Sequence, residues 1–346
     1  MPTVACVLPY SVGMSVPDQR PVTIYDVARA AGVAPSTVSR TFARPGRVNA
    51  ETASRIRRIA EELGYRSHLI AQGQTTAATR ILAVVVADIA NPFYSSLVRG
   101  TQVAAAEAGY EILLSDARES ADRERSALTR LLPVVEGVLI GGSRMSDSAL
   151  RTIAKQKPTV VLNREMRDIP SVIPDNVGGM RAAIDLLRGL GHDQVVYVAG
   201  PEASWPDGMR SRAVRDHAAQ AGMQTYKIGP FLPTVEGGLL AARQLLARLP
   251  SSVIVYNDLM AIGVMRGLLD AGVRIPADIS VIGCDDILTA QLVTPSLTTI
   301  AMPIRQMGIT GVNNLAAIIN GARPGGGEAL VMPVKLKARR STGPRT

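Results

Sequence analysis

The sequence predicts a small all-α unit followed by a larger two-lobed α/β domain built on parallel sheets. Three observations predict it. Apolar residues recur at helical spacing in three short bursts between Thr23 and Tyr65. From Ile81 onward, apolar runs of strand length alternate with amphipathic stretches of helical length, the pattern of parallel strands covered on both faces. These runs are too numerous for one small sheet, and a Pro-bearing crossover at Ile169 to Pro174 follows the first several, which divides them between two similar lobes.

Bulk properties narrow the class. A chain of 346 residues fits two or three compact units. With 47% hydrophobic and 19% charged residues, 31 Gly and 22 Pro, it reads as globular with many short connections rather than fibrous or unfolded. The net charge of +9 permits an anionic partner but does not choose one. Its location is more telling: between Val22 and Arg80 nine arginines face four acids, a net of +5, more than half of the excess. Cys6 and Cys284 lie far apart in different contexts, so neither a disulfide framework nor a metal knuckle is expected, and a reducing cytoplasm is the natural location. No apolar run approaches membrane-span length, and Met1 to Arg20 lacks the basic start and apolar stretch of a signal peptide. Residues 1–21 read as a disordered extension, or as a start placed ahead of the true one at Met14.

The all-α unit spans 22–66. Thr23 followed by Asp26 resembles a capping box with Asp in place of Glu, opening a helix that buries Ile24, Val27 and Ala28 and ends at Gly32. Val33 plugs the corner, and Pro35 occupies a first-turn position where its missing N–H costs nothing, so a second helix runs to about Phe42. Two helices joined by a Gly-containing turn form a helix-turn-helix, whose second member presents its early residues to base edges. On it Ser36, Thr37 and Arg40 share a face while Val38 points inward. Arg40 has the fork to pair with guanine, and Ser36 reaches a base or phosphate. A third helix starts at Asn49 as N-cap, buries Ile56, Ile59, Ala60 and Leu63, and ends at Gly64, with Arg55, Arg57 and Arg58 outside.

The runs Val22-Thr-Ile-Tyr-Asp-Val-Ala, Ala31-Gly-Val, Ser36-Thr-Val-Ser-Arg40 and Leu63-Gly-Tyr65 resemble the DNA-binding headpiece of the lactose/galactose repressor (LacI/GalR) family. The resemblance implies base reading by Pro35, Ser36 and Arg40, and phosphate contacts from Thr23, Thr37, Ser39 and Asn49. Pro35 has no side-chain donor and offers only an apolar contact, such as to a thymine methyl. Residues 67–80 resemble the family's hinge, which folds on DNA and inserts a leucine in the minor groove. Here Gln74 stands where that leucine is expected, after Gln72 and Gly73, with Leu69 and Ile70 as the sizeable apolar residues. An apolar wedge offsets unstacking of a few kcal/mol per step, and Gly73 costs a helix roughly 1 kcal/mol, so weaker operator bending or a different wedge is expected.

The α/β domain spans 81–337. Its strand runs are Ile81 to Ala87, Glu111 to Leu114, Gly137 to Ile140, Thr159 to Leu162, Val195 to Ala199, Val253 to Tyr256 and Ile279 to Ile282; its helices include Ser95 to Ala108, Gly178 to Leu190, Gly238 to Leu249 and Met260 to Ala271. Asn91-Pro-Phe-Tyr94, Asp175-Asn176, Gly191-His192, Ala199-Gly-Pro201, Asn257-Asp258, Pro276 to Gly283 and Asp285-Asp286 resemble the family's effector domain, itself similar to periplasmic sugar-binding proteins. The resemblance implies a cleft between lobes lined by Tyr94, Asn163, Trp205, Arg210, Asn257 and Asp285, at the carboxyl ends of strands where ligands bind in such sheets. Arg210 and Asp285 would hydrogen-bond ligand hydroxyls or a carboxylate, and Trp205 would stack on a sugar face. Ala213 replaces a glycine common in the family three residues after this arginine. Asp286 reads as a helix cap rather than a ligand contact, Asn176 as a ligand contact or an orienter of the crossover, His192 as a neighbour of a helix end, and Phe93 as packing.

An α/β enzyme is the first competing reading, from the pairs Asp285-Asp286 and Asn257-Asp258. It lacks support: three histidines, no His/Cys metal spacing, no GxSxG turn and no phosphate-binding GxxxxGK[ST] loop. No catalytic residue, metal or cofactor is therefore expected. A sugar-binding sensor of the periplasmic type without operator binding is the second. The resemblance instead implies a transcription regulator, repression being the commoner outcome. It acts as a homodimer on a palindromic double-stranded DNA operator, and a sugar or nucleoside effector reorients the lobes and shifts the spacing of two headpieces. The basic tail 338–346 carries no leucine heptad, so a dimer rather than a tetramer is expected.

Overall fold

The computed structural model describes residues 22–43, 47–63, 65, 79–322 and 328–345, which form two compact units parting near Ala77 and Ala78. The candidate hinge residues Leu69, Ile70 and Gln74 lie outside the described residues, as do residues 1–21.

The first unit is three helices: α1 (Ile24–Ala31), α2 (Pro35–Ala43) and α3 (Ala50–Glu62). At the start of α1 the Asp26 carboxylate accepts from the Thr23 N–H at 2.9 Å and from its hydroxyl at 2.6 Å. Gly32 closes the helix at φ 64°, a left-handed position that glycine takes without strain. Asn49 caps α3 by accepting from the Glu51 N–H at 2.9 Å. Val27, Ala28, Ala31, Val38, Ile56 and Ala60 form the core. Leu63, expected inside, is 39% exposed, because α3 ends at Glu62 and Leu63 follows its last turn.

The second unit has two six-stranded sheets. In the first lobe β1 (Ile81–Val86), β2 (Glu111–Asp116), β3 (Gly137–Gly141), β4 (Thr159–Leu162) and β5 (Ser171–Pro174) alternate with α4 (Pro92–Glu107), α5 (Ala121–Leu131) and α6 (Asp147–Ala154). The second lobe follows with α7 (Asn176–Gly189), β6 (Gln194–Val198), α8 (Trp205–Gln220), β7 (Gln224–Ile228), α9 (Val235–Ala247), β8 (Ser252–Val255), α10 (Asp258–Asp270), β9 (Ser280–Asp285), α11 (Leu288–Leu292) and β10 (Thr298–Ala301). The chain then returns: α12 (Ile304–Ile319) packs on α4 and β4, β11 (Leu330–Met332) joins the first sheet beside β5, and β12 (Lys335–Lys337) joins the second beside β10. Nothing in the sequence pattern anticipates this return. The strand orders are β11-β5-β4-β3-β1-β2 and β12-β10-β9-β8-β6-β7. Every pairing is parallel except β10 with β12, which corrects the all-parallel expectation for the second sheet.

Valine- and isoleucine-rich central strands are buried on both faces, as helix-covered parallel sheets require. One apolar cluster is continuous across the lobes, from Leu82 and Leu162 to Tyr197 and Ile254. The Pro-bearing crossover is partly a strand, β5, whose passage into α7 carries the chain to the second lobe.

The expected basic tail is not loose. Ser341 is fully buried, accepting from the Thr298 N–H at 2.8 Å and donating to the Val281 carbonyl at 2.6 Å. His192, also buried, lies 3.0 Å from Ser251, 3.1 Å from Ser280 and 3.2 Å from the Gly343 carbonyl. This histidine fastens the C-terminal segment to the lobe, and Arg345 adds an ion pair with Asp193.

Candidate functional site

The three-helix unit presents one candidate surface. Pro35, Ser36 and Arg40 are exposed on α2, with Thr37 and Ser39 half-buried beside them and Val38 fully buried. The i, i+3, i+4 spacing that buries Val38 against α1 and α3 turns Arg40 and Ser36 outward. Thr23 and Asn49 are exposed at the starts of α1 and α3. The side-chain oxygen of Asn49 is committed to its cap. Arg29, Arg47, Arg55, Arg57 and Arg58 are exposed as well. Sequence reasoning did not single out Tyr25, 65% exposed on α1. Its place in an amphipathic helix that buries Val27, Ala28 and Ala31 was the available signal.

In the α/β unit, Tyr94, Asn163, Arg210, Asn257 and Asp285, drawn from five separate segments, line one small, largely closed pocket together with Asn91, Phe93 and Tyr256. They meet because each stands at or just beyond the carboxyl end of a strand, or in the first turns of the helix that follows.

Arg210 is the pivot. Buried on α8, it donates through Nε to Asn176 at 2.9 Å and through Nη1 to the Tyr256 carbonyl at 2.6 Å. Its Nη2 lies 3.8 Å from Asp285, and its guanidinium stacks 5.2 Å from the centre of the Tyr256 ring. Asn176 thus serves as an orienter: it fixes Arg210 and donates to the Pro174 carbonyl at 3.2 Å. Ala213 is buried one turn after the arginine, so the methyl group is accommodated in the core. Burial pushes the Asp285 carboxyl well above the usual carboxylate range; Arg210 opposes the shift and Asp258 adds to it.

The other lining groups differ in what they have left to offer. Asn257 is the N-cap of α10, accepting from the Met260 N–H at 3.0 Å and donating to the Pro233 carbonyl at 3.3 Å. Asn163, held in the left-handed region at φ 60°, has a buried side-chain oxygen with no hydrogen-bond partner. A buried acceptor left unmade costs about 1–3 kcal/mol, so it is a place where a bound O–H or N–H donor is gained at full value. Phe93, read as packing, lines the pocket while stacking edge-on against Tyr94 at 5.0 Å. Tyr256 was missed because it reads as the last apolar residue of a strand run. The buried pair Arg144 and Glu119, 2.6 Å apart, lies close enough to bear on the hydroxyls of both Tyr94 and Tyr256.

Trp205 is not among the lining residues. It is the first residue of α8, five before Arg210, and five residues turn a helix by about 140° beyond a full revolution. Asp286 likewise is not a helix cap: Ile287 occupies the cap position of α11 and Asp286 pairs with Arg339 at 2.5 Å.

Gly142 bounds the site from behind β3. At φ 67°, a Cβ there would lie 2.0 Å from the Tyr94 hydroxyl. Gly142→Ala is therefore expected to displace Tyr94 and to destabilise the fold by about 1–3 kcal/mol. Urea unfolding measures the second effect and a crystal structure of the variant the first.

Asp258, fully buried beneath the site, accepts from Thr299 at 2.6 Å and from the Ile287 N–H at 3.0 Å, and burial pushes it up to about 6. The folded state holds this proton to higher pH than the unfolded chain, which releases it near 4. The contribution is full below about pH 4 and is lost as pH rises through about 6, roughly 2–4 kcal/mol in all. Asp258→Asn is expected to flatten that part of the stability profile between pH 4 and 7, measured by urea titration across the range.

Comparisons with known proteins bear on both units. Residues 23–68 match the model of bacterial regulatory proteins, lacI family, and residues 184–342 match that of the periplasmic binding protein-like domain. The chain is 31% identical over 333 residues to the HTH-type transcriptional regulator DegA of Bacillus subtilis, covering 93% of this chain and 98% of that one. A crystal structure of the lac repressor dimer bound to operator and the anti-inducer ONPF superposes with a TM-score of 0.71 at 28% identity, over 94% of this chain and 100% of that one. A lacI-family regulator from Enterococcus faecium with bound ribose gives a TM-score of 0.69 at 29% identity, over 77% of this chain and all of the other.

Proposed function

Because this chain belongs to the lacI family of bacterial regulatory proteins, we propose that its two units act in concert. The three-helix headpiece grips a palindromic operator, and the cleft of the two-lobed domain sets that grip by binding a small uncharged polyhydroxyl effector. In this reading Arg40, Ser36 and Pro35 read base edges, while Thr23, Thr37, Ser39 and Asn49 meet phosphates. Tyr94, Asn163, Arg210, Asn257 and Asp285 form the effector site.

The observation that carries this reading is the convergence of those five residues on one pocket that includes the unpartnered acceptor of Asn163. Arg210 is faced by Asp285 and holds two neutral acceptors besides. A pocket whose one lining cation already has a lining carboxylate beside it favours hydroxyl groups over a phosphate or carboxylate. The relative with bound ribose agrees with that class. Binding changes the relative disposition of the lobes and so operator affinity.

The regulator acts as a dimer. Leu288 and Leu292, one helical turn apart on α11, are each 70% exposed, an apolar stripe suited to a second copy of the chain. Replacing both by Asp is expected to halve the sedimentation mass. Operator affinity should fall by about 10²- to 10⁴-fold, the gain from joining two half-site contacts in one molecule. Retention of the dimer mass would place the interface elsewhere. The effector reading is tested by calorimetric titration of the purified protein with D-ribose and other neutral monosaccharides, with their phosphates as contrast. Tighter binding of the phosphates would contradict it.

A further inference from the structure

Arg339, two residues beyond β12, reaches back to the loop that follows β9. Its Nη2 lies 2.5 Å from Asp286, its Nη1 donates to the Leu297 carbonyl at 2.8 Å, and its backbone N–H donates to Thr298 Oγ1 at 2.9 Å. Both side chains of the ion pair are largely shielded from water, 16% and 19% exposed, so the pair is a fixed contact rather than a surface encounter.

The loop it holds is under strain. Asp285 sits at φ 125° and Asp286 at φ 60°, two consecutive non-glycine residues in a region L side chains rarely adopt. Such a conformation persists only where its surroundings over-determine it. Other restraints are the pairing of Asp285 with Ala301 at the end of β9, the Ile287 N–H donating to Asp258 at 3.0 Å and the Asp286 N–H donating to Thr299 at 3.4 Å. These act on the backbone; Arg339 grips the Asp286 side chain by charge. Relaxation of the loop would move Asp285 away from its station 3.8 Å from Arg210.

We propose that Arg339 is a positioning residue for the effector site, fixing Asp285 through Asp286, so that the segment beyond the last strand sets effector affinity while lining no part of the cleft. This rests on the reading of the cleft as the effector site. The segment is anchored independently farther on, by His192 with Gly343 and by Arg345 with Asp193, so loosening its end is separable from releasing the loop.

The test has a ligand-free arm and a ligand arm. In the ligand-free arm, amide hydrogen exchange at residues 285–287 reports opening of the loop directly. Arg339→Met is expected to speed it by tenfold or more. Asp286→Asn, which cuts the pair from the other side, should match it, Arg339→Lys should restore part of the protection, and Arg345→Met should leave it at the wild-type level. With D-ribose as the probe, Arg339→Met should raise the Kd at least tenfold while operator affinity without sugar stays within twofold. Wild-type exchange at 285–287 in Arg339→Met and Asp286→Asn, or equal loosening by Arg345→Met, would overturn the proposal. If no monosaccharide binds the wild-type protein, it is the effector reading of the cleft that fails, and the exchange arm still decides the role of Arg339.

Discussion

Arg210→Met is expected to abolish the effector response while operator binding in the absence of effector stays within a few-fold of wild type. The arginine is fully buried, and its removal breaks hydrogen bonds to Asn176 and Tyr256 and strands the Asp285 carboxyl without a counter-charge. Truncating one partner of a buried charged pair costs about 2–5 kcal/mol, which as lost affinity is roughly 30- to 5,000-fold. Asp285, already held above the ordinary carboxylate range by burial, then loses the neighbour that lowers it, so its carboxyl is pushed up further. Arg210→Lys keeps the charge but not the planar fork, and should fall between the two. Calorimetry with the effector and a gel shift with the operator separate the two functions. Equal loss of both would mean that Arg210 only supports the fold.

The second large effect lies in the headpiece. Arg40→Ala should cost roughly 1–3 kcal/mol per half-site, and twice that on a palindrome, with specificity relaxed at one symmetric base position. Arg55→Ala or Arg58→Ala should weaken binding to all sequences alike and reduce the salt slope by about one per subunit. The contrast follows from place: Arg40 shares the outward face of α2 with Ser36, whereas Arg55 and Arg58 lie on the outer face of α3. Binding-site selection with each variant distinguishes relaxed specificity from uniform weakening.

The headpiece was legible because its determinants are local. Thr23 with Asp26, Gly32 at a left-handed helix end, and Asn49 as a cap each act within four residues, so the sequence displays them directly. Central strands were legible for a related reason: β1, β3, β4 and β8 are unbroken apolar runs because both faces are covered. Edge strands lack that pressure. Gln224–Ile228 pairs on one side only and alternates with polar residues, and the three-residue strands β11 and β12 exist only because distant partners are in place.

The cleft followed the same division. Tyr94, Asn163, Arg210, Asn257 and Asp285 were found from motifs at strand ends, and the fold gathers them. What the sequence hid is set by three-dimensional company. Tyr256 looks like strand core until Arg210 is seen stacked on it, and Arg144 and Glu119 become a pair only across 25 residues. The C-terminal segment is rich in arginine, glycine and proline and so reads as a solvated tail; burial of Ser341 depends on a slot formed by β9 and β10.

If occupancy of the cleft sets the grip of the headpiece on a palindrome, the two must titrate together. The most direct measurement is to select genomic fragments with the full-length protein at low salt, then to follow operator affinity by fluorescence anisotropy while titrating D-ribose, other neutral monosaccharides and nucleosides. A short palindrome should be recovered, and one such compound should shift operator Kd by about 5- to 150-fold in the wild-type protein and not at all in Arg210→Met. Failure to enrich any palindrome, or a shift of equal size in both proteins, would contradict coupling between cleft and headpiece.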